Sequence, residues 1–91
     1  MEIVWDDRKS EACLRVRGFD FAYAAMVFYD PRRTVIEDDR FEYGEERFLV
    51  YGHVAGRLYA VVFTERGGAY RIISARKANK REVKRYGHYQ N

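Results

Sequence analysis

The stretch RFLVYGHVAGRLYAVVFTERGGAYRIISA, residues 47–75, decides the fold. It contains three runs that are rich in the β-branched and aromatic residues favoured in strands. These runs are Arg47–Val54, Arg57–Glu65 and Tyr70–Ala75. Ala55-Gly56 and Gly67-Gly68 separate the runs, and both connections are short enough for tight turns. Consecutive strands joined by tight turns pair in the antiparallel direction. The stretch therefore predicts an antiparallel meander.

Two helices are predicted before this meander. The stretch from Asp6 or Asp7 to Arg17 begins with acids, ends with bases and is followed by Gly18, an order that suits the helix dipole and a left-handed C-terminal cap. Apolar residues then recur at i, i+3, i+4 and i+7 across residues 21–28, after the candidate N-cap Asp20. Asp30-Pro31 should end this second helix, because a residue before proline is disfavoured in the α conformation.

Shorter elements complete the predicted order. Residues 2–5 and 34–36 are strand candidates, and the acidic stretch EDDRFEYGEE at 37–46 is predicted to be a loop. Asn79-Lys80-Arg81-Glu82 resembles a capping box that opens a basic C-terminal helix. The order strand, helix, helix, sheet, helix predicts one α+β domain over the whole chain, with helices against one side of a mostly antiparallel sheet.

Composition excludes several classes of protein. The chain has 91 residues, of which 47% are hydrophobic and 16% aromatic, and this fits a single globular domain. No apolar run approaches the roughly 20 residues of a membrane span, and the N-terminus lacks a signal-peptide core, so we expect a cytoplasmic protein with no membrane partner. Cys13, His53 and His88 make no zinc pattern, so we expect no metal and no other cofactor.

The net charge of +3 conceals a strong asymmetry. Residues 1–65 hold nine Lys and Arg against thirteen Asp and Glu, giving −4, whereas residues 66–91 hold eight against Glu82 alone, giving +7. Such clustering attracts polyanions, so the favoured partners are nucleic acid or an acidic protein. A solvated helix face would have a similar composition.

The residues favour chemistry that depends on arginine. Motifs for a nucleotide-phosphate loop, a zinc protease and a serine nucleophile are absent, and the two histidines cannot be placed as an acid/base pair by spacing. Acid/base catalysis would then require Glu, Lys, Tyr or water. Metal-free RNA cleavage needs an aligned ribose 2′-OH, neutralised phosphoryl oxygens and two proton transfers. The planar arginine fork suits the second task.

Three arginines surround the last predicted strand. Arg66 lies at a turn, Arg71 within the strand and Arg76 at its end, and we expect them to share one end of the sheet and converge on one phosphate. The groups that could transfer protons or orient these arginines are Glu46, Glu65 and Lys9, the last from the first helix. For a single arginine taken alone, a surface ion pair that contributes little is favoured over a functional role. As a set they favour a functional site.

Several tyrosines could stack on unpaired bases, although packing explains them as well in so small a domain. They are Tyr43, Tyr51, Tyr59, Tyr70, Tyr86 and Tyr89.

Three motifs in a fixed order resemble one protein family. They are GEERF at 44–48, TERG at 64–67 and RIISARKA at 71–78. Together with Trp5-Asp6, Gly18 and Asp30-Pro31, they make the chain similar to the BrnT toxins of type II toxin–antitoxin systems, small ribonucleases related in fold to the RelE group. The chain departs from residues common in that family at Cys13, Val16, Arg17 and Phe63.

The resemblance implies a RelE-like fold and a metal-independent endoribonuclease that inhibits translation by cleaving RNA. It also implies a BrnA-type ribbon-helix-helix antitoxin that neutralises the toxin. Operator DNA would be bound only through this antitoxin. The catalytic residues carried over by position are Lys9, Glu46, Arg47, Glu65, Arg66 and Arg76. The cations expected to bind RNA are Arg71, Lys77, Lys80, Arg81, Lys84 and Arg85.

Two alternatives stay open from the residues. A catalytically silent nucleic-acid-binding module would use the same cations for phosphate contacts only. A basic protein-interaction domain would use them to hold an acidic partner. If the chain is a toxin, we expect its antitoxin to cover the basic site with a segment that supplies carboxylates.

Overall fold

A computed structural model describes residues 1–39 and 44–87. The elements in chain order are β1 (Glu2–Trp5), α1 (Asp7–Arg17), α2 (Phe21–Ala24), a 3₁₀ helix (Ala25–Tyr29), β2 (Thr34–Glu37), β3 (Phe48–Val54), β4 (Arg57–Arg66), β5 (Ala69–Lys77) and α3 (Lys80–Tyr86). No helix within these two ranges is long and apolar enough to cross a membrane. The interpretations of Tyr43, His88 and Tyr89 fall outside the described residues.

The five strands form one sheet in the order β1-β5-β4-β3-β2. β1 runs parallel to β5, and the three other pairs of neighbouring strands are antiparallel. The predicted α+β class and mostly antiparallel sheet are therefore confirmed. β4 lies in the centre of the sheet, and the meander β3-β4-β5 forms its middle three strands.

The local helix signals are confirmed by the hydrogen bonds at the helix ends. Asp6 Oδ1 accepts from the backbone N–H of Arg8 at 2.8 Å, which satisfies one of the open donors of the first turn of α1. Gly18 has a φ of +87° and donates its N–H to the Leu14 carbonyl, ending that helix. Asn79 begins α3 in a reciprocal capping box with Glu82.

The second predicted helix differs from its pattern. Residues 21–24 form one α-helical turn, and residues 25–29 continue as a tighter 3₁₀ helix rather than as a regular α-helix. The element ends before Asp30-Pro31, as predicted. The 3₁₀ part is the segment that packs against β3, where Val27 lies close to Gly52.

The sheet is covered on both faces. The α1 face packs against α1, α2 and the 3₁₀ helix around Val50, Val61 and Ile72. The α3 face carries Leu58 and Ala60 and packs against α3. The expectation that all helices lie on one side is therefore wrong. The continuous apolar run in β4 is the physical reason, because a strand that is apolar on both faces must be covered on both faces.

Gly52 on β3 allows the 3₁₀ helix to approach the sheet. A Cβ atom built at this position would lie 2.8 Å from the carbonyl oxygen of Val27 and 2.9 Å from its Cβ. Both distances are shorter than normal van der Waals contact, and the carbonyl belongs to the backbone, which cannot turn away as a flexible side chain can. The contact between the 3₁₀ helix and β3 thus requires glycine.

We expect Gly52→Ala to lower the free energy of unfolding by about 2–3 kcal/mol, because the added methyl group overpacks a rigid contact. Gly56→Ala is the matched control: its Cβ would meet nothing within 4 Å, although its φ of +79° is strained for alanine. The control should lose only about 1 kcal/mol. Urea unfolding of both variants measures the difference, and an equal loss in the two would contradict the close-contact account.

Candidate nucleic-acid interface

The three arginines around β5 do not share one end of the sheet. Arg66 pairs with Ala69 beside the turn at Gly67-Gly68, whereas Arg76 pairs with Ala60 at the far end of the same hairpin. The distance along β4 from residue 60 to residue 66 is about 20 Å at roughly 3.3 Å per residue. The predicted convergence on one phosphate is therefore wrong. In an antiparallel hairpin only residues equally far from the turn meet, and Arg76 is much farther from it than Arg66.

The same three arginines do lie on one face. Ala60 belongs to the core on the α3 face, and side chains alternate along β4, so Arg66 lies on that face as well. On β5, Arg71 pairs with Thr64 and Arg76 pairs with Ala60, both of which are on the α3 face. The arginines therefore form a row along the sheet rather than a cluster.

At the turn end of this row, two arginines share one carboxylate. Arg66 Nη2 lies 2.7 Å from Glu45 Oε1, and Arg47 Nη2 lies 3.7 Å from Glu45 Oε2. The hydrogen bond from Arg66 is the main reason why the pKa of Glu45 is lowered. Thr64 donates its hydroxyl to the Glu46 carbonyl at 2.7 Å, which joins this segment to β4. Residues 45–47 are thereby held against the end of the sheet.

The two acids predicted to orient Arg66 lie elsewhere. Glu46 is exposed and joins the network through its backbone carbonyl. Glu65 pairs with Tyr70, which packs on the α1 face, so its side chain is directed away from Arg66. The carboxylate that orients Arg66 is Glu45, which the sequence analysis did not single out.

At the far end of the row, Arg76 is held by a carboxylate from α3. Its Nη1 and Nη2 donate to Glu82 Oε1 and Oε2 at 2.7 and 2.8 Å. Tyr51 donates its hydroxyl to Oε2 at 2.7 Å, and the Asn79 N–H donates to Oε1 at 2.9 Å. The ring of Tyr86 stacks on that of Tyr51 with centroids 4.2 Å apart. One carboxylate thus joins β3, β5 and α3.

These contacts fix the protonation states in the cluster. Hydrogen bonds from Arg76 are the largest cause that lowers the pKa of Glu82, to about 2. Burial, followed by the hydrogen bond to Glu82, raises the pKa of Tyr51 above its ordinary value. At neutral pH the carboxylate is therefore ionised and the phenol protonated. Neither group is matched to the task of a general base at that pH. What the pair can do is hold the guanidinium in position.

The guanidinium of Arg76 has a second pair of N–H donors, here called the Arg76 fork, that could bind a ligand. Arginine has five N–H donors, and the contacts with Glu82 use one from each Nη. Nη1 has a further, long contact of 3.4 Å with the Lys77 carbonyl. These contacts leave the Nε–H and the second Nη2–H, which are parallel and match two oxygens of one phosphate. The side chain is 37% exposed, so part of it is open to solvent. The neighbouring Tyr51 hydroxyl, after Glu82, contributes to raising the pKa of Arg76.

Exposed cations follow Arg76 in the chain. On α3 and the end of β5 they are Lys77, Lys80, Arg81, Lys84 and Arg85. The guanidinium of Arg85 lies 5.8 Å from the centre of the Tyr86 ring. Glu82, the only acid in residues 66–91, is already paired with Arg76. The surface around the fork is therefore strongly positive and suited to a polyanion. Arg71 lies nearer the middle of the row and is half-buried.

Lys9 reaches the sheet from α1, as the sequence analysis anticipated. It is exposed and lines a groove of about 300 Å³ between α1 and β5, together with Ile73 and Ser74. We call this the α1–β5 groove. At the other end of the groove Arg17 Nη1 donates to the Ala75 carbonyl, next to Arg76. Lys9 belongs to the first turns of α1, which follow the Trp5–Ile72 pair, so it lies nearer Arg71 than Arg76 along β5.

Sequence reasoning missed the roles of Glu82 and Tyr51. It assigned Glu82 only to the cap of α3 and treated Tyr51 only as one of several packing or stacking candidates. One signal was available for Glu82, because a single acid among eight cations in residues 66–91 is a natural partner for one of them. For Tyr51 the sequence contains no such signal, since its contact depends on how β3 and α3 come together.

We expect the Glu82 cluster to make stability depend on pH in the acid range. Because the pKa of Glu82 is lowered from 4.5 to about 2, its contribution is present above pH 4.5 and is lost as the pH falls towards 2. The size should be about 1–2 kcal/mol, less than the full shift implies, since the partner Arg76 is partly exposed. Urea unfolding of the wild type and Glu82→Gln at pH 6 and pH 2.5 isolates this contribution. The same loss in both proteins would contradict it.

The comparison with known families agrees with the resemblance seen in the sequence. No curated protein matches the chain. The family model described as "Ribonuclease toxin, BrnT, of type II toxin-antitoxin system" matches residues 5–82. The matched range begins at Trp5, contains Lys9 and the whole of β2 to β5, and ends at Glu82. The chain therefore belongs to the BrnT family of ribonuclease toxins of type II toxin–antitoxin systems.

Proposed function

We propose that this chain is a metal-independent endoribonuclease of the cytoplasm that inhibits translation by cleaving RNA. Membership of a ribonuclease toxin family supports the cleavage of RNA. The observation that carries the proposal is the Arg76 guanidinium, which is held by both oxygens of Glu82, one of which also accepts from Tyr51, in the most basic part of the chain. A guanidinium in this setting supplies the positive charge that phosphoryl transfer requires.

The proposed reaction is transesterification at one RNA phosphate. The ribose 2′-oxygen attacks phosphorus, the bond to the 5′-oxygen breaks, and a 2′,3′-cyclic phosphate and a 5′-hydroxyl are formed. The free Nε–H and Nη2–H of Arg76 bind two phosphoryl oxygens and stabilise the charge that grows on them. Glu82 acts as a positioning residue, because its two oxygens are occupied by Arg76, Tyr51 and the α3 cap.

Proton transfer is assigned to other groups. The 2′-OH must lose a proton and the 5′-oxygen must gain one. The Lys9 ammonium is exposed and lines the α1–β5 groove, and we assign it the proton donated to the 5′-oxygen. The proton of the 2′-OH passes to solvent, since both oxygens of Glu82 already accept hydrogen bonds from Arg76, Tyr51 and the Asn79 N–H.

The remaining cations are assigned to binding. Those on α3 and the end of β5 hold the RNA backbone next to the reacting phosphate, and Arg71 holds it along the sheet. The predicted catalytic residues Glu46, Arg47, Glu65 and Arg66 lie at the opposite end of the β4–β5 hairpin. Their distance of about 20 Å from Arg76 along the strand supports a separate role. We therefore assign Arg47 and Arg66, with Glu45, to holding residues 45–47 against the sheet.

The family also implies a protein antitoxin. We propose that this partner is a BrnA-type ribbon-helix-helix protein that neutralises the toxin, and that operator DNA is bound only through it. The excess of positive charge in residues 66–91 favours a partner that contributes carboxylates. Such a partner would compete with RNA for the basic surface.

We expect the purified chain to cleave a structured RNA in excess EDTA, because Arg76 rather than a bound cation supplies the charge at the phosphate. The products should carry 2′,3′-cyclic phosphate or 3′-phosphate ends, which end-specific labelling and mass spectrometry identify. Complete dependence on added Mg²⁺ would contradict the mechanism. Bound but intact RNA would favour the catalytically silent module, and intact RNA without binding would favour the protein-interaction domain.

We expect Arg76→Lys to lower kcat by about 10²-fold, because lysine keeps the charge near Glu82 but cannot hold two phosphate oxygens with a planar fork. Arg81→Lys is the matched control on the exposed face of α3 and should leave kcat within about twofold. Single-turnover cleavage separates kcat from RNA affinity. Arg66→Lys should resemble the control. A loss at Arg66 as large as that at Arg76 would show that both ends of the row take part in chemistry.

A further inference from the structure

The α1–β5 groove exists because β1 is shorter than β5. The parallel pairing of these strands ends at Trp5 and Ile72, and the chain then turns into α1. From residue 73 onwards the outer edge of β5 is flanked by α1 instead of by a strand. The Ala75 carbonyl on this edge accepts a hydrogen bond of 2.8 Å from Arg17 Nη1, so a helix side chain replaces the missing strand at that point.

The floor of the groove is apolar and partly exposed. Its lining includes Val16, Ile73 and Ala75, and Val16 is 76% exposed, the highest value among the large hydrophobic residues that the structure describes. An exposed apolar side chain at the rim of a groove can contact the apolar side chains of another protein, which an RNA phosphate does not supply. Within the described chain, α1 and β5 leave this valine uncovered.

Both ends of the groove are positively charged. Lys9 and Arg17 line it eight residues apart on α1, which is about 12 Å along the helix at 1.5 Å per residue. The described residues that line the groove include no Asp or Glu. An extended chain covers the same distance in about four residues at roughly 3.3 Å each. The groove is thus complementary to a peptide with carboxylates about four residues apart and apolar side chains between them.

We propose that the α1–β5 groove is the docking site for an extended, acidic segment of the antitoxin. Apolar side chains of that segment contact Val16 and Ile73, and its carboxylates pair with Lys9 and Arg17. The occupant is assigned to the antitoxin because the family is defined by a protein partner and because the charges of the groove require an acidic one.

Docking at this site would also account for inhibition of the toxin. This step rests on the proposed function, because it requires Lys9 and Arg76 to act on RNA. A segment in the groove covers Lys9 directly. It also runs past Ser74 and Ala75, which immediately precede Arg76 on β5. The partner therefore need not displace Glu82 from Arg76 in order to exclude RNA.

The first test compares two valines on opposite edges of the sheet. Val16→Glu places a carboxylate in the groove, and Val35→Glu makes the same change on β2, where the valine is 47% exposed. We expect Val16→Glu to weaken binding of the co-expressed cognate antitoxin by at least about tenfold, and Val35→Glu to change it by less than about twofold. Isothermal titration calorimetry measures both, and thermal unfolding checks that both variants are folded.

The second test uses the wild-type chain, so it does not depend on any variant being folded. Addition of the antitoxin should shift the methyl NMR signals of Val16 and Ile73 and leave those of Val35 and Ile36 nearly unchanged. The reverse pattern would overturn the proposal and place the partner on the β2 edge. Self-association of the free chain that Val16→Glu abolishes, seen by analytical ultracentrifugation, would assign the groove to a second copy and would also overturn it.

RNA cleavage distinguishes this inference from the proposed function. Val16→Glu should cleave RNA like the wild type, yet require more antitoxin for inhibition. If the wild type cleaves RNA but Val16→Glu binds the antitoxin normally, only the docking site is wrong. If neither protein cleaves RNA while Val16→Glu still loses antitoxin affinity, the docking site stands and the ribonuclease mechanism fails. Loss of RNA binding in Val16→Glu would place RNA in the groove and overturn the proposal.

Discussion

The rest of the structure depends on one constraint, the burial of β4 on both faces. This central strand is buried from Leu58 to Thr64, so its side chains need a cover above and below the sheet. One face is covered by α1, α2 and the 3₁₀ helix, and part of the other face is covered by α3. The short α3 is thereby fixed across β3 and β5, where its third residue, Glu82, meets Arg76.

Glu82 connects this packing to function. Its Oε1 accepts from the Asn79 N–H in the capping box and also from Arg76, so the start of α3 and the orientation of the guanidinium depend on the same atom. Removing the cap would therefore disturb the fork, and removing Arg76 would leave an almost buried carboxylate without its main partner. For this reason a charge-preserving change at Arg76 tests the mechanism more cleanly than alanine does.

The sequence predicted features that depend on neighbours in the chain and failed on those that depend on register. Gly18 and the capping box at Asn79 mark helix ends by local chemistry, and each was placed correctly. The position of Arg66 relative to Arg76 depends on the pairing of β4 with β5. Both residues lie near strand ends in the sequence, but these are opposite ends of the hairpin. The acids that orient these arginines depend on the same non-local geometry. A capping pattern does not reveal which strand the capped helix will contact.

The proposed sites would allow β5 to contribute to both RNA cleavage and inhibition. β5 contributes Ile73 and Ala75 to the α1–β5 groove and Arg76 to the fork, and these positions are consecutive or nearly so. Because side chains alternate along a strand and the groove lies at its edge, a protein segment and an RNA phosphate can contact adjacent residues without sharing any one side chain. A protein segment bound at one of these sites and RNA bound at the other would overlap, so they could not bind at the same time. Lys9 is the exception: it lines the groove and is proposed to donate the proton, so it is the residue at which inhibitor and substrate would compete directly.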